Sequence, residues 1–248
     1  MPQDKRLIVT RAVVNKLKKV SVDVDAAASI PVFLSFIVPP ALMTQDRILK
    51  DKLFLCEHCP FPRRIGKRTT TVLIVPNIIV HDCAKINKRH NYFDAVVAAE
   101  LICRRGDLEC EKRALQVSST FTQFVVDARI VTKLPLCIKQ AVDGDAKALG
   151  SIPQKQLVSL PGFEERESLG FTLSQGALGT QIVMRNLGQC LFRVGHGGMT
   201  AGEVCDNAKG FVASLKVCAP HIYKYVADFK LISPVTEMVR FSEANIKQ

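Results

Sequence analysis

Tryptophan is absent from this chain, and aromatic side chains make up only 6% of its 248 residues. Base-stacking platforms are therefore sparse, so a nucleic-acid partner would be held mainly through its phosphates, with an affinity that falls as salt rises. Long apolar runs are lacking too. The longest, Ser29 to Met43, is interrupted by Pro31, Pro39 and Pro40. It falls short of the roughly 20 residues that a spanning helix requires, and no membrane segment is expected. A secreted disulfide scaffold would be expected to follow a signal peptide, and the opening Met-Pro-Gln-Asp-Lys-Arg does not carry the pattern of one. Nine cysteines scattered through apolar runs, an odd number, argue for buried thiols in a reducing compartment rather than a disulfide scaffold.

Motifs for catalysis are missing as well. Gly195, Gly197 and Gly198 do not match G-x-G-x-x-G, and Gly66-Lys67 is followed by Arg68, so neither a dinucleotide fingerprint nor a Walker loop is present. His58, His81, His90, His196 and His221 form no readable pairing with a nucleophile, and no G-x-S-x-G elbow occurs. Cys56-Glu57-His58-Cys59 is the one C-x-x-C; without a second ligand pair it reads as strand and turn cysteines rather than a zinc site. No catalytic residue, metal site, cofactor or small-molecule substrate is expected. The glycines of Arg193-Val-Gly-His-Gly-Gly-Met199 suit a strand-to-helix turn that needs positive φ, or phosphate contact at a helix start.

What the chain has in excess is positive charge: 34 Lys and Arg against 23 Asp and Glu, a formal +11. With 48% hydrophobic residues it is nevertheless a folding sequence, long enough for two compact domains or one large one. Val13, Val14, Leu17 and Val20 recur at helical spacing while Arg11, Lys16, Lys18 and Lys19 take other positions, predicting an amphipathic helix with a basic outer face. Pro31 to Val38 reads as a strand covered on both faces, and Lys52 to His58 as a second strand. Pro60 to Arg68 combines prolines, a glycine and the cations Arg63, Arg64, Lys67 and Arg68, and reads as a linker.

Strand and helix signals then alternate: Thr70 to Val75 and Phe121 to Val126 as strands, with the polar Cys83 to His90 and the short run Asp94 to Ala98 between them, and Asp107 to Gln116 and Arg129 to Val142 as helices. This predicts an α/β unit with a mainly parallel sheet. After a break at Gly150 to Pro153 come a hairpin around Asn186-Leu187-Gly188, a helix over Ala201 to Cys218 and a strand over Asp228 to Ile232. Glu164-Glu165-Arg166-Glu167 reads as a solvated loop or helix start. Neither flank suffices alone, so 1–67 and 153–248 are expected to form one discontinuous α/β domain into which 68–152 is inserted. The charges then divide as 12 against 6 in 1–67, 12 against 9 in 68–152 and 10 against 8 in 153–248, which gives the split domain +8 of the +11.

This order resembles the ribosomal protein L-one family. Phe124-Val-Val-Asp-Ala-Arg-Ile130 with Leu134-Pro135 is similar to the strand-to-helix signature of its nucleolar assembly-factor members. Gly179-Thr180, Gly188-Gln-Cys190, and Arg193-Val-Gly-His196 with Met199 resemble their hairpin and Gly-His turn, and Ala208 to Leu215 and Phe229-Lys-Leu-Ile232 their last helix and strand. The ribosomal members carry a Gly-Pro-Gly-Leu-Asn-Lys-Ala-Gly-Lys run where this chain has Ala141 to Gly150, and a Thr-Met-Gly contact where it has Ser233-Pro-Val-Thr236. The resemblance thus implies a two-domain fold with an inserted Rossmann-like domain, in a non-catalytic nuclear and nucleolar factor. Its implied partners are precursor ribosomal RNA and the ribosomal and assembly-factor proteins of the pre-ribosome. The RNA-binding candidates are Lys16, Lys18, Lys19, Arg63, Arg64, Lys67, Arg68, Arg193 and His196. A divergent stalk protein of a mature ribosome is the alternative within RNA binding; a zinc or nucleotide-binding enzyme using the inserted unit is the alternative of another class.

Overall fold

The computed structural model describes residues 5–20, 27, 30–62, 71–143, 155–226 and 228–241. It is mixed α/β and divides into two compact units, one comprising the described parts of 5–62 and 180–241, the other 71–143 and 155–179. The run 63–70, with Arg63, Arg64, Lys67 and Arg68, lies outside the described residues.

The first unit begins with α1 (Lys5–Val20), β1 (Pro31–Ile37), α2 (Pro40–Gln45) and α3 (Arg47–Asp51). The second carries β2 (Thr71–Val75), α4 (Asn77–His90), β3 (Ala95–Ala98), α5 (Leu108–Thr120), β4 (Gln123–Asp127), α6 (Leu136–Asp143), β5 (Gln156–Leu160) and α7 (Leu169–Leu178). The chain returns to the first unit with β6 (Val183–Met184), β7 (Gln189–His196), α8 (Ala201–Cys218), α9 (Pro220–Tyr223), β8 (Lys230–Ser233) and β9 (Thr236–Arg240).

In the first unit β1 is the central strand of a five-stranded sheet, order β9-β8-β1-β7-β6, antiparallel to both neighbours. Six of its seven residues are buried, as its unbroken apolar run demands. Val32, Leu34 and Phe36 face α1 and α8, whose apolar stripes close the core around Phe211. Its ring stacks on Phe192 at 3.9 Å and meets Phe54 edge-on at 5.0 Å. Thr200 and Glu203 form a reciprocal capping box that fixes where α8 starts. The second strand expected over Lys52 to His58 shrinks to Phe54–Leu55, because the following Cys56 to Pro62 segment folds as a loop.

The second unit is a four-stranded, wholly parallel sheet of order β3-β2-β4-β5. Its middle strands are buried throughout, and Val72, Ile74, Phe124 and Val126 pack on Ala114, Val117 and Ile138. The boundary expected at 153 is corrected: β5 pairs with β4 from Gln123↔Gln156 to Asp127↔Leu160, so 155–179 belongs to this unit and the chain leaves it at Thr180. The helix expected over Arg129 to Val142 is divided, with a 3-10 turn over Ala128–Lys133 and α6 starting after Pro135. A proline cannot continue a helix, because it lacks the N–H and its ring crowds the preceding turn.

Candidate nucleic-acid interface

Among the described cations, α1 concentrates the most charge of one sign. Its 16 residues carry six Lys and Arg and no acid. Thr10, Val13, Val14 and Leu17 are buried against the core, and the packing of α1 on α8 and β9 fixes which arc turns outward. Arg11, Lys16, Lys18 and Lys19 are all exposed. On a helix of 3.6 residues per turn Lys19 lies near the centre of the outer arc, with Lys16 and Lys18 to either side. Lys18 and Lys19 in the last turn also complement the helix dipole.

Arg193 and His196 go elsewhere. Both sit on β7 and are buried, at 2% and 7% exposure, so neither offers a free face to a phosphate. Arg193 Nε donates to the Pro60 carbonyl at 3.0 Å, and its guanidinium carbon lies 4.4 Å from the Phe61 ring centroid. Burial lowers its pKa, with Cys59 opposing, but leaves it a cation at neutral pH. It anchors the Cys56 to Pro62 loop to the sheet. Burial and then Arg193 depress His196 to about 3, with Glu203 opposing, so the ring is neutral and its Nδ1 accepts from Gly198 N at 3.2 Å. The sequence expectation of direct RNA contact by these two residues is replaced by a structural role: charge in an apolar strand suggests a surface position, but this strand is central enough to bury it.

Asn207 completes the arrangement. Its Oδ1 accepts from His58 N at 2.9 Å, and its Nδ2 donates to the carbonyls of His58 and Val194, each at 2.9 Å. Sequence reasoning passed over it, although it falls three residues after Val204 and four before Phe211, on the buried stripe of α8. A polar residue at such a position has to find partners.

The C-x-x-C lies in this anchored loop. Cys56 is buried, and burial followed by Cys59 pushes its thiol up to about 12, away from thiolate chemistry. Cys59 Sγ donates to the Phe61 carbonyl at 3.2 Å. No group of three or more metal-ligating side chains is gathered among the described residues. The Gly-rich turn is also corrected: Gly195, Gly197 and Gly198 are not at positive φ. Close approach is what two of them require. A Cβ on Gly197 would lie 2.4 Å from the Ala27 carbonyl oxygen, and one on Gly195 2.9 Å from Cγ2 of the buried, β-branched Val204.

In the second unit the strand order reverses between β2 and β4, where parallel sheets commonly bind nucleotides beyond the strand ends. Here Asp127 closes β4, accepting from Arg129 N at 2.9 Å and from its guanidinium at 2.5 Å, and Glu164 lies 3.5 Å from Arg129. Asp82 and Asp127 also reinforce burial in raising the Cys83 thiol to about 11. Carboxylates gather where a phosphate would need donors. No helix among the described residues is long and apolar enough to cross a membrane.

The corrected boundary redistributes the charge. Residues 1–62 with 180–248 hold 17 cations against 11 acids, the run 63–70 four cations and no acid, and 71–179 13 cations against 12 acids. No protein-family model and no curated protein sequence matches the chain.

His196 makes the stability of the first unit pH-sensitive. Its folded pKa lies below its ordinary 6.5, so below 6.5 the unfolded chain takes up a proton that the folded one refuses until about pH 3. Its contribution to stability is present above pH 6.5 and is lost as the pH falls toward 3. At pH 5 this amounts to roughly 2 kcal/mol less than at pH 7. Urea unfolding of His196→Gln, whose amide oxygen can still accept from Gly198, should show a pH dependence weaker than the native protein's by about that amount. Equal pH dependence in the two proteins would refute the assignment.

Proposed function

We propose that this chain is a non-catalytic RNA-binding protein of the ribosomal L-one type, a nuclear and nucleolar factor that holds precursor ribosomal RNA in assembling pre-ribosomes. The exposed, acid-free basic face of α1 carries the reading. A surface of this kind neutralises phosphates without requiring aromatic stacking, which the composition disfavours. The resemblance in Phe124 to Ile130 and Gly179 to Met199 supplies the ribosomal context, and with it the two-domain architecture in which a Rossmann-like domain is inserted. Ribosomal and assembly-factor proteins are the further partners in this reading.

The test is fluorescence anisotropy of a structured ribosomal RNA fragment across a salt series. Replacing Lys16, Lys18 and Lys19 together by Ala should weaken binding at low salt and reduce the slope of log K against log salt by about one per lost contact. An unchanged slope removes α1 from the interface. Because all three side chains are exposed, the variant's melting temperature should stay near that of the native protein.

A further inference from the structure

The second unit contains a cavity of about 560 Å³ between the 102–105 turn, α5 and the 133–139 corner that opens α6. Ile102, Ala114 and Leu134 give it an apolar floor, buried beneath the surface. Arg104 and Arg105 contribute cations from the turn, and Lys133 and Lys139 from the opposite segment. Among the described residues Glu111 is the one acid in the lining. This is a local excess in a unit whose sequence from 71 to 179 is nearly balanced. Apolar surface continues beyond the cavity, since Leu115 and Leu136 in its wall are 59% and 69% exposed.

The geometry points to a docking groove for an acidic, amphipathic segment of a partner protein: leucine-like side chains fill the floor, and carboxylates flanking that apolar stripe meet the four cations. RNA fits the same charge but not the same floor. A phosphate backbone has nothing to place against Ile102, Ala114 and Leu134, and the described residues of the lining include no aromatic side chain on which a base could stack. Charge complementarity around an apolar centre is the pattern of helix-in-groove recognition, in which a short amphipathic helix lays one face into the groove. The groove lies on a different unit from α1 and does not rest on the RNA reading.

The experiment uses the full chain and a fluorescein-labelled peptide of about twelve residues in which leucines recur at helical spacing among aspartates and glutamates. Two competitors are added: the same composition with its leucines scrambled, and an oligouridylate of equal charge. Binding by the patterned peptide should weaken at least about tenfold on Arg104→Glu with Arg105→Glu. Leu115→Ser with Leu136→Ser should weaken it about three- to tenfold. These side chains are exposed, and circular dichroism with thermal melting verifies the fold of each variant. Absence of binding by the native chain, indifference to both pairs of substitutions, equal binding of the scrambled peptide, or displacement by the oligouridylate overturns the proposal. Native RNA affinity in the Arg104/Arg105 variant, alongside lost affinity in the α1 lysine variant, keeps the failure of one reading distinct from that of the other.

Discussion

Arg193→Ala is expected to destabilise the first unit by about 2–4 kcal/mol and to free the loop that precedes the charged run, without abolishing RNA binding by direct loss of a contact. The size follows from three losses. The Pro60 carbonyl loses its donor, the Phe61 ring loses the cation packed on its face, and a side-chain-sized void opens beside β7. A partial offset comes from removing a fully buried charge, whose desolvation is unfavourable. Arg193→Met retains most of the volume and removes the charge, so it should be less destabilising than Arg193→Ala. Urea unfolding gives the stability ranking, and hydrogen exchange at His58 reports the loop, because its amide is held by Asn207. A direct phosphate contact by Arg193 predicts another result: lower RNA affinity at unchanged stability in both variants.

The halves of the chain differ in how well their residues announced these roles. Periodicity identified α1 and α8 because a single apolar stripe decides which face of a helix is buried, and the exposed positions of Lys16, Lys18 and Lys19 followed from it. The parallel sheet was foreseen from alternating strand and helix signals, but β5 was not. Gln156 to Leu160 is an edge strand of five residues with alternating burial, just after Pro153, and its pairing with β4 is a long-range contact that no local pattern encodes. Arg193, His196 and Asn207 show the same limit from the chemical side. Charge and polarity mark a residue as costly to bury, and only the tertiary partners reveal that Pro60, Gly198 and His58 offset that cost. The Gly-rich turn was legible as a turn, but its constraint comes from Ala27, far away in sequence.

Gly188 and Gly106 provide a paired prediction in which backbone conformation is matched and surroundings differ. Their φ values are 79° and 78°, so an alanine at either site suffers similar backbone strain, about 1 kcal/mol. At Gly106 an added Cβ meets nothing within 4 Å, and the cost should remain near that figure. At Gly188 the Cβ would sit 1.9 Å from the Val38 carbonyl oxygen. The obstacle is backbone, not the end of a flexible side chain, so β1 and β7 must separate where Val38 N donates to Gly188 O at 2.9 Å. Loss of that hydrogen bond and of core packing around Phe36 and Cys190 brings the expected cost to about 3 kcal/mol or more. Gly188→Ala should therefore lower the unfolding midpoint of the first unit several times as much as Gly106→Ala lowers that of the second, as read by denaturant titration of the full chain. Equal shifts would mean that the left-handed conformation alone, rather than the approach to Val38, is what glycine supplies at the end of this hairpin.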